Sequence, residues 1–286
     1  MIEIKNILVL GAGTMGHGIA QTAAQAGFSV TLYDLKQEFV VNGIKRITQN
    51  LDKGIERSKL TEADKDFTLN RISCSTDLQT AASQCDLAIE AVLEQMDLKR
   101  QIFGDLDRLC PAHTILASNT SSLSLTEIAN ATSRPAQVIG MHFFNPVHIM
   151  KLLEVIVAKQ TSDDTLQTVL SVGQRLGKDC IVVKDSPGFA TSRLGLALGL
   201  EAMRMLESGV ATAEDIDKAM ALGYNHPMGP LKLTDLVGLD VRLDIAEYLF
   251  KEIGEQFRPP EILRQKVAAG KLGQKSGEGF YKWPAK

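Results

Sequence analysis

Residues 4–34 read IKNILVLGAGTMGHGIAQTAAQAGFSVTLYD, and this stretch decides the fold. A short apolar run ends at Leu10, a glycine-rich turn follows, and a helical pattern then continues to Gly27. A second apolar run leads to Asp34. A glycine turn between a strand and a helix, with an acid about 20 positions further on, is typical of a dinucleotide-binding βαβ unit. The sequence therefore predicts an α/β domain of the Rossmann type.

The turn residues and Asp34 are the first candidates for cofactor binding. The first glycine permits the tight turn, the second lets the backbone approach a pyrophosphate, and the third lets helix and strand pack closely. The helix amino terminus then receives the phosphate charge. Asp34 is placed to accept hydrogen bonds from the ribose hydroxyls of NAD and would repel the 2′-phosphate of NADP, a repulsion that Lys36 could soften. We expect NAD rather than NADP, and the turn residues predicted to bind it are Gly11, Ala12, Gly13, Thr14, Met15 and Gly16.

Composition narrows the class of protein. With 286 residues, 44% hydrophobic and 23% charged, the chain is long enough for two globular domains. Its net charge of −3 and the absence of a basic run argue against a nucleic-acid partner. The four cysteines show no Cys-x-x-Cys spacing, so we expect no metal site and a reducing compartment. No apolar stretch is long enough for a membrane span, and the first strand follows the start directly, so we expect a cytoplasmic protein.

Short apolar runs alternate with helical patterns up to about Lys184, which indicates a parallel sheet. We predict a NAD-binding Rossmann domain over residues 1–184, with a charged helical insertion over 36–73. The predicted strands are 4–10, 28–33, 87–91, 114–117, 137–142, 152–157 and 180–183.

The chain changes character after Ser186-Pro187. Pro187 suits the first turn of a helix, and helices are predicted near 187–207, 213–222, 231–253 and 260–269. We therefore predict an all-α domain for substrate binding and dimerisation over 185–286. Its first helix carries little charge, so we expect a homodimer that buries this helix against a partner.

A second stretch, residues 117–157, supplies the candidate catalytic pair. His142 ends one apolar run, and Glu154 lies within the next. A carboxylate among aliphatic neighbours is costly to desolvate without a partner. Paired with an imidazole, it fixes the ring tautomer and favours the protonated ring, as a proton-transferring histidine requires. A surface histidine and an edge-strand glutamate are the alternative, which the dinucleotide fingerprint disfavours. The remaining histidines are interpreted as structural or solvated: His17, His113, His148 and His226.

Six motifs resemble the short-chain 3-hydroxyacyl-CoA dehydrogenases, most closely the bacterial 3-hydroxybutyryl-CoA dehydrogenases, and stand in family order. They read GAGTMGHGIA, EAVLEQMDLKRQIF, ASNTSSLSLTEIA, GMHFFNPVHIMKLLEVI, HPMGPLKLTDLVGLD and GKLGQKSGEGFYKW. The resemblance implies an NAD-dependent enzyme that reversibly oxidises the 3-hydroxyl of an acyl-CoA, such as 3-hydroxybutyryl-CoA, to the 3-ketone.

The resemblance also implies site residues. His142 is the acid/base, Glu154 orients it, and Ser121 contacts the substrate oxygen and the nicotinamide. The family commonly has an asparagine that holds the substrate where this chain has Ser192, which is shorter and lacks the amide. The further residues implied to line the cofactor are Glu94, Lys99, Asn119, Ser121, Asn145 and Lys275. The residues expected to contact the substrate are Ser121, Asn145, Ser192 and, among the bases of the insertion, Lys53.

Two other functions stay open at this stage. One is a related sugar-acid dehydrogenase similar to L-gulonate 3-dehydrogenase, and the other is a non-catalytic NAD-binding protein. An acyl-CoA enzyme requires a basic surface near residues 45–65 for the phosphates of its substrate, whereas a sugar acid requires only a compact cation. The sequence contains no Gly-x-Ser-x-Gly elbow that would indicate a hydrolase.

Overall fold

Eight strands form one sheet in residues 2–284, the part of the chain that this computed structural model describes. The sheet lies in the first of two compact units, Met1–Ser186 and Pro187–Lys286. In chain order the strands are β1 (Asn6–Leu10), β2 (Ser29–Tyr33), β3 (Ile72–Ser75), β4 (Leu87–Glu90), β5 (Ile115–Ser118), β6 (Val138–Phe143), β7 (Leu152–Val157) and β8 (Asp179–Lys184). Their order across the sheet is β3-β2-β1-β4-β5-β6-β7-β8.

Seven α-helices connect these strands in the described part of the first unit. They are α1 (Gly16–Gln25), α2 (Gln37–Glu56), α3 (Glu62–Leu69), α4 (Leu78–Ala82), α5 (Met96–Leu109), α6 (Leu125–Ala129) and α7 (Asp163–Arg175). Every residue of β4, β5 and β6 is buried, as expected for strands covered on both faces. The strand order reverses between β1 and β4, which is where α/β folds bind ligands, at the carboxyl ends of the strands. The predicted Rossmann-type fold is confirmed.

Two features of the sheet differ from the prediction. All neighbouring strands are parallel except β6 and β7, which are antiparallel. The prediction also missed β3. This edge strand contains one strongly apolar residue, Ile72, and none of its four residues is fully buried. Residues 72 and 73, predicted to end the helical insertion, are the first residues of β3.

The second unit contains five α-helices among its described residues. They are α8 (Thr191–Glu207), α9 (Ala213–Gly223), α10 (Pro230–Val237), α11 (Leu239–Glu252) and α12 (Glu261–Ala268). The predicted helix start at Pro187 is wrong: Phe189 has a positive φ of 50°, which a helix does not allow, and α8 begins two residues later. The predicted helix 231–253 is divided by Gly238, whose φ is 105°. No helix of the described chain is both long and apolar enough to span a membrane.

Candidate active site

The glycine turn joins β1 to α1 and has the shape that a dinucleotide requires. A Cβ on Gly11, whose φ is 95°, would lie 2.7 Å from the Ala91 carbonyl oxygen, so the turn passes too close to the end of β4 for a side chain. A Cβ on Gly16 would lie 1.6 Å from the Gly11 oxygen. Gly13 is exposed, and a Cβ there would meet no atom within 4 Å. The turn therefore leaves open the space above Gly13 that a pyrophosphate would occupy.

Asp34 follows β2 directly and is held by backbone N–H groups. Its carboxylate accepts hydrogen bonds from Ala12 at 2.7 Å and from Leu35 at 2.8 Å. Each carboxylate oxygen keeps a further acceptor site, which fits the recognition of ribose hydroxyls. Lys36, which could have softened the repulsion of a 2′-phosphate, lies 3.7 Å from the Glu38 carboxylate. The glycine turn and the Asp34 carboxylate therefore both fit NAD.

His142 and Glu154 form a buried pair. The antiparallel register of β6 and β7 places the two residues directly opposite each other, and His142 Nδ1 lies 2.6 Å from Glu154 Oε2. Glu154 is fully buried and His142 is 7% exposed. The His142 ring also packs against Phe144 at 4.5 Å between ring centroids. Because a carboxylate can only accept, Nδ1 carries the proton and Nε2 is the basic nitrogen of the neutral ring.

Half of the cofactor residues predicted in the first unit, six of twelve, meet in one pocket of about 350 Å³. It lies at the carboxyl ends of the strands, beside the glycine turn. From the set predicted by sequence it is lined by Met15, Glu94, Lys99, Asn119, Ser121, His142 and Asn145. Asn119 also fixes the end of β6, because its Oδ1 accepts from the Phe143 N–H at 2.9 Å. The structure thus brings these side chains around the His142–Glu154 pair.

A buried ion pair that the sequence did not reveal supports this pocket. Lys99 Nζ lies 2.7 Å from Glu90 Oε1, and both side chains are at most 1% exposed. The second oxygen of Glu90 accepts from Ser118 Oγ at 2.7 Å, and Val92 N–H donates to the first at 2.8 Å. Lys99 also lies 3.2 Å from Glu94 Oε2. The network fixes the ends of β4 and β5 against α5.

Glu94 in turn holds the 120–122 turn. Its Oε1 accepts hydrogen bonds from Thr120 Oγ1 at 2.6 Å and from Ser121 N–H at 2.9 Å. Burial raises the pKa of Glu94, but the Lys99 ammonium and these hydrogen bonds outweigh burial, so the pKa stays below its ordinary value. Glu94 is therefore ionised at neutral pH and fixes Ser121 at the edge of the pocket.

A second opening, which we call the basic cleft, lies between α1, the end of α2 and the 145–149 loop. It encloses about 600 Å³. Lys53, Arg57 and Lys59 line it together with His17 and His148, two histidines that the sequence had suggested to be structural or solvated. Asn145 lines both the basic cleft and the pocket of His142, so the two openings adjoin.

Two predicted site residues belong to the second unit. Ser192 lies in the first turn of α8. Lys275 lies in a short 3-10 helix, Gln274–Ser276, where its Nζ is 2.5 Å from Asp240 Oδ2. Their predicted contacts with substrate and cofactor stay predictions. Within residues 2–284, no cluster of three or more His, Cys, Asp or Glu side chains could hold a metal ion.

Comparison with known proteins identifies the family of both units. The family model described as "3-hydroxyacyl-CoA dehydrogenase, NAD binding domain" matches residues 6–186. The model described as "3-hydroxyacyl-CoA dehydrogenase, C-terminal domain" matches residues 188–283. Together they cover nearly the whole chain and confirm the resemblance that the six motifs indicated.

Individual relatives agree along their full length. A Bacillus subtilis protein named "Probable 3-hydroxybutyryl-CoA dehydrogenase" is 50% identical over 286 residues, which are 100% of this chain and 99% of the relative. The 3-hydroxybutyryl-CoA dehydrogenase of Clostridioides difficile is 44% identical over 276 residues, 96% of this chain and 98% of the relative. The crystal structure of (S)-3-hydroxybutyryl-CoA dehydrogenase from Ralstonia eutropha is 44% identical, covers 99% of this chain and 100% of its own, and superposes with a TM-score of 0.96. The chain belongs to the 3-hydroxyacyl-CoA dehydrogenase family.

Proposed function

We propose that the chain is an NAD-dependent 3-hydroxybutyryl-CoA dehydrogenase in which His142 transfers the proton. The observation that carries the proposal is the buried 2.6 Å contact of His142 with Glu154 in a pocket that also presents Met15 of the glycine turn. A basic imidazole nitrogen, a dinucleotide turn and a hydroxyl-bearing residue, Ser121, are the groups that a secondary alcohol oxidation requires. The full-length relatives support the same reaction class.

Three residues of the site have separate roles in the oxidation of the 3-hydroxyl. NAD, when bound, supplies the hydride acceptor. In oxidation, neutral His142 accepts the proton of the 3-hydroxyl at Nε2, and in reduction the imidazolium returns it to the ketone oxygen. Glu154 stabilises the imidazolium and holds the ring in one tautomer. Ser121 is held by its backbone N–H on Glu94, and its hydroxyl, which donates to Glu94 Oε1 at 3.3 Å in this structure, turns to donate to the same substrate oxygen when the substrate binds.

The basic cleft favours an acyl-CoA over a sugar acid as substrate. Coenzyme A carries several phosphate charges at a distance from its thioester, and Lys53, Arg57 and Lys59 provide an extended basic surface next to the pocket. A sugar acid carries a single carboxylate and needs no such cleft. Within this proposal Lys53 contacts a substrate phosphate, Asn145 lies where the two openings meet, Ser192 holds the acyl group and Lys275 contacts the cofactor.

The experiment that tests the proposed function compares two substrates. Purified protein is given NADH with acetoacetyl-CoA and, in parallel, NAD with L-gulonate, and the absorbance of NADH is followed. We expect NADH consumption with acetoacetyl-CoA and little NADH formation with L-gulonate. The reverse pattern would favour the sugar-acid enzyme, and no reaction in either assay by folded protein would favour a non-catalytic NAD-binding protein.

Asp34 should decide between NAD and NADP. Its carboxylate repels a 2′-phosphate, and Lys36 is already engaged by Glu38. We expect wild type to prefer NADH over NADPH, and Asp34→Ala to reduce the ratio of the two kcat/KM values about tenfold, equivalent to about 1.4 kcal/mol. Lys36→Ala is the control and should change the ratio little. An unchanged ratio in Asp34→Ala would show that another group selects the cofactor.

We also propose that the protein is a homodimer formed through α8, the helix of the predicted 187–207 segment, and the neighbouring helices of the second unit. Four apolar side chains of α10 and α11 are each about 40% exposed, namely Leu233, Leu236, Val237 and Val241. We expect the mass of a dimer in sedimentation at micromolar concentration, and a monomer when both Leu233 and Leu236 are changed to Glu. Val41→Glu, an exposed position on α2, should stay dimeric. A monomeric wild type would contradict the proposal.

We propose that the enzyme works in the cytoplasm. The Sγ atoms of Cys85 and Cys110 lie 3.6 Å apart, close enough that an oxidising compartment could join them as a disulfide. In a reducing compartment both would stay thiols, which fits four cysteines without the spacing of a disulfide framework.

A further inference from the structure

His17 and His148 face the basic cleft and have no role in the chemistry described above. His17 is the second residue of α1, and its Nδ1 donates to the Gly13 carbonyl oxygen at 2.7 Å. Because the neutral ring carries its single N–H proton on Nδ1, where it is donated to Gly13, Nε2 is unprotonated and can only accept a hydrogen bond. His17 can therefore donate a hydrogen bond from Nε2 to a phosphate oxygen only after the ring has taken up a second proton.

The position of His148 is fixed by the loop that carries it. Lys178, just before β8, is 8% exposed, and its Nζ donates to the carbonyl oxygens of Val147 at 2.5 Å and Met150 at 2.8 Å. These two hydrogen bonds anchor the backbone on both sides of His148. The imidazole is consequently presented to the cleft from a fixed loop.

The surroundings of both rings disfavour their charged form. Burial lowers the pKa of His17; the Gly13 carbonyl opposes this effect and Arg46 adds to it. Burial also lowers the pKa of His148, and His17 and Lys178 lower it further. The other charged groups that line the cleft are Lys53, Arg57 and Lys59, all cationic. Both histidines are therefore neutral near pH 7 until an anion enters.

We propose that His17 and His148 form, with Lys53, Arg57 and Lys59, a proton-linked binding site for a phosphate group of coenzyme A. The proposal rests on the proposed acyl-CoA substrate and adds a regulation to it. An entering phosphate brings the negative charge that the cleft lacks, so the imidazoles protonate as the ligand binds. Binding of acyl-CoA therefore takes up protons, and the affinity rises as the pH falls.

The test separates the phosphate-bearing part of the substrate from the reacting part. kcat/KM is measured from pH 6 to pH 8 with acetoacetyl-CoA, with acetoacetyl-dephospho-CoA, and with acetoacetyl-pantetheine, which carries no phosphate. Dividing kcat/KM for acetoacetyl-CoA by kcat/KM for acetoacetyl-pantetheine cancels the pH dependence of the chemical step. We expect this ratio to rise at least about threefold from pH 7.5 to pH 6.5, since each linked proton gives at most tenfold per pH unit and two give at most about a hundredfold.

The histidines are tested by His17→Gln and His148→Gln. Each variant should flatten the pH dependence of the ratio, whereas turnover of the pantetheine thioester shows that the variant is folded. His113→Gln, a half-exposed histidine that contacts Asp86 instead, is the matched control and should keep the wild-type slope. All proteins are assayed with the same substrates, so the ionisation of the substrate phosphates cancels in the comparison.

The outcomes are distinct. If the pH dependence of the kcat/KM ratio persists with the dephospho-CoA thioester, the histidines bind the pyrophosphate. If it disappears, they bind the 3′-phosphate. Both results support the proposal. A ratio independent of pH in wild type, or a wild-type slope in both histidine variants, overturns it. If no thioester causes NADH consumption, it is the proposed function that has failed.

Discussion

Replacing His142 by alanine is expected to lower kcat for acetoacetyl-CoA reduction by about 10²–10⁴, the usual contribution of a positioned general acid or base. The change removes the only group in the pocket that the account assigns to proton transfer. The glycine turn follows β1 and Asp34 follows β2, whereas His142 lies on β6, so NADH binding should persist. A loss of kcat with little change in NADH affinity, measured by the fluorescence of bound NADH, is the expected signature.

Matched variants separate catalysis from folding at this site. Glu154→Gln keeps a hydrogen-bond acceptor for Nδ1 but removes the charge, so we expect a smaller loss of kcat than in His142→Ala. His113→Ala, at a histidine outside both openings, should retain wild-type kcat. Circular dichroism at the assay temperature confirms that each variant is folded. Near-normal kcat in His142→Ala would show that the proton passes through another residue.

The largest expected effect on stability comes from Lys99→Met. Lys99 and Glu90 are both fully buried at 2.7 Å, so removing the ammonium leaves a buried carboxylate without its counter-charge. Such a change costs about 3–5 kcal/mol. Urea denaturation should therefore show a lower free energy of unfolding for the first unit. The double variant Lys99→Met/Glu90→Gln should recover part of this loss, because Glu90 no longer carries an unpaired buried charge, although Glu94 also loses the Lys99 ammonium.

An exposed pair provides the control for this prediction. Lys271 and Glu278 are also 2.7 Å apart, but their side chains are 43% and 42% exposed. We expect Lys271→Met to cost at most about 1 kcal/mol, because water already screens this pair. Equal losses in the two variants would mean that the Lys99–Glu90 pair adds nothing through its burial.

Because the pKa of Glu94 is lowered in the folded state, its contribution to stability should be present at neutral pH and lost as the pH falls through that pKa.

The strands were largely predictable because buried parallel strands are continuous apolar runs. Seven of the eight are present where such runs occur, and β3 escaped because an edge strand has little need of apolar residues. The break of the predicted helix 231–253 had a visible signal in Gly238. The start of α8 had no such signal in the sequence. Pro187 suits the first turn of a helix, and the positive φ of Phe189, which delays the helix to Thr191, depends on structural context.

The candidate site was predictable where a local pattern reveals it and not where tertiary contacts create it. An acid among aliphatic residues indicated a partner for Glu154, and the glycine turn indicated the cofactor. Apolar runs do not show strand direction, however, and only the antiparallel return of β7 brings Glu154 opposite His142. The resemblance implied that Lys99 lines the cofactor, but its buried ion pair with Glu90 follows from the packing of α5 on the sheet and has no signal in the sequence. The same holds for His17 and His148, which meet only through the fold.

Oxidation of the two enantiomers of 3-hydroxybutyryl-CoA tests the central claim most directly. The protein is mixed with NAD and either the (S) or the (R) thioester, and NADH formation is followed by absorbance in wild type and in His142→Ala. The account predicts NADH formation by wild type with the (S) enantiomer, which is the configuration in the name of the similar Ralstonia eutropha enzyme, and little with the (R) enantiomer. It predicts a rate reduced by about 10²–10⁴ in the variant. No NADH from either enantiomer with folded wild-type protein, or equal rates in wild type and variant, would contradict it.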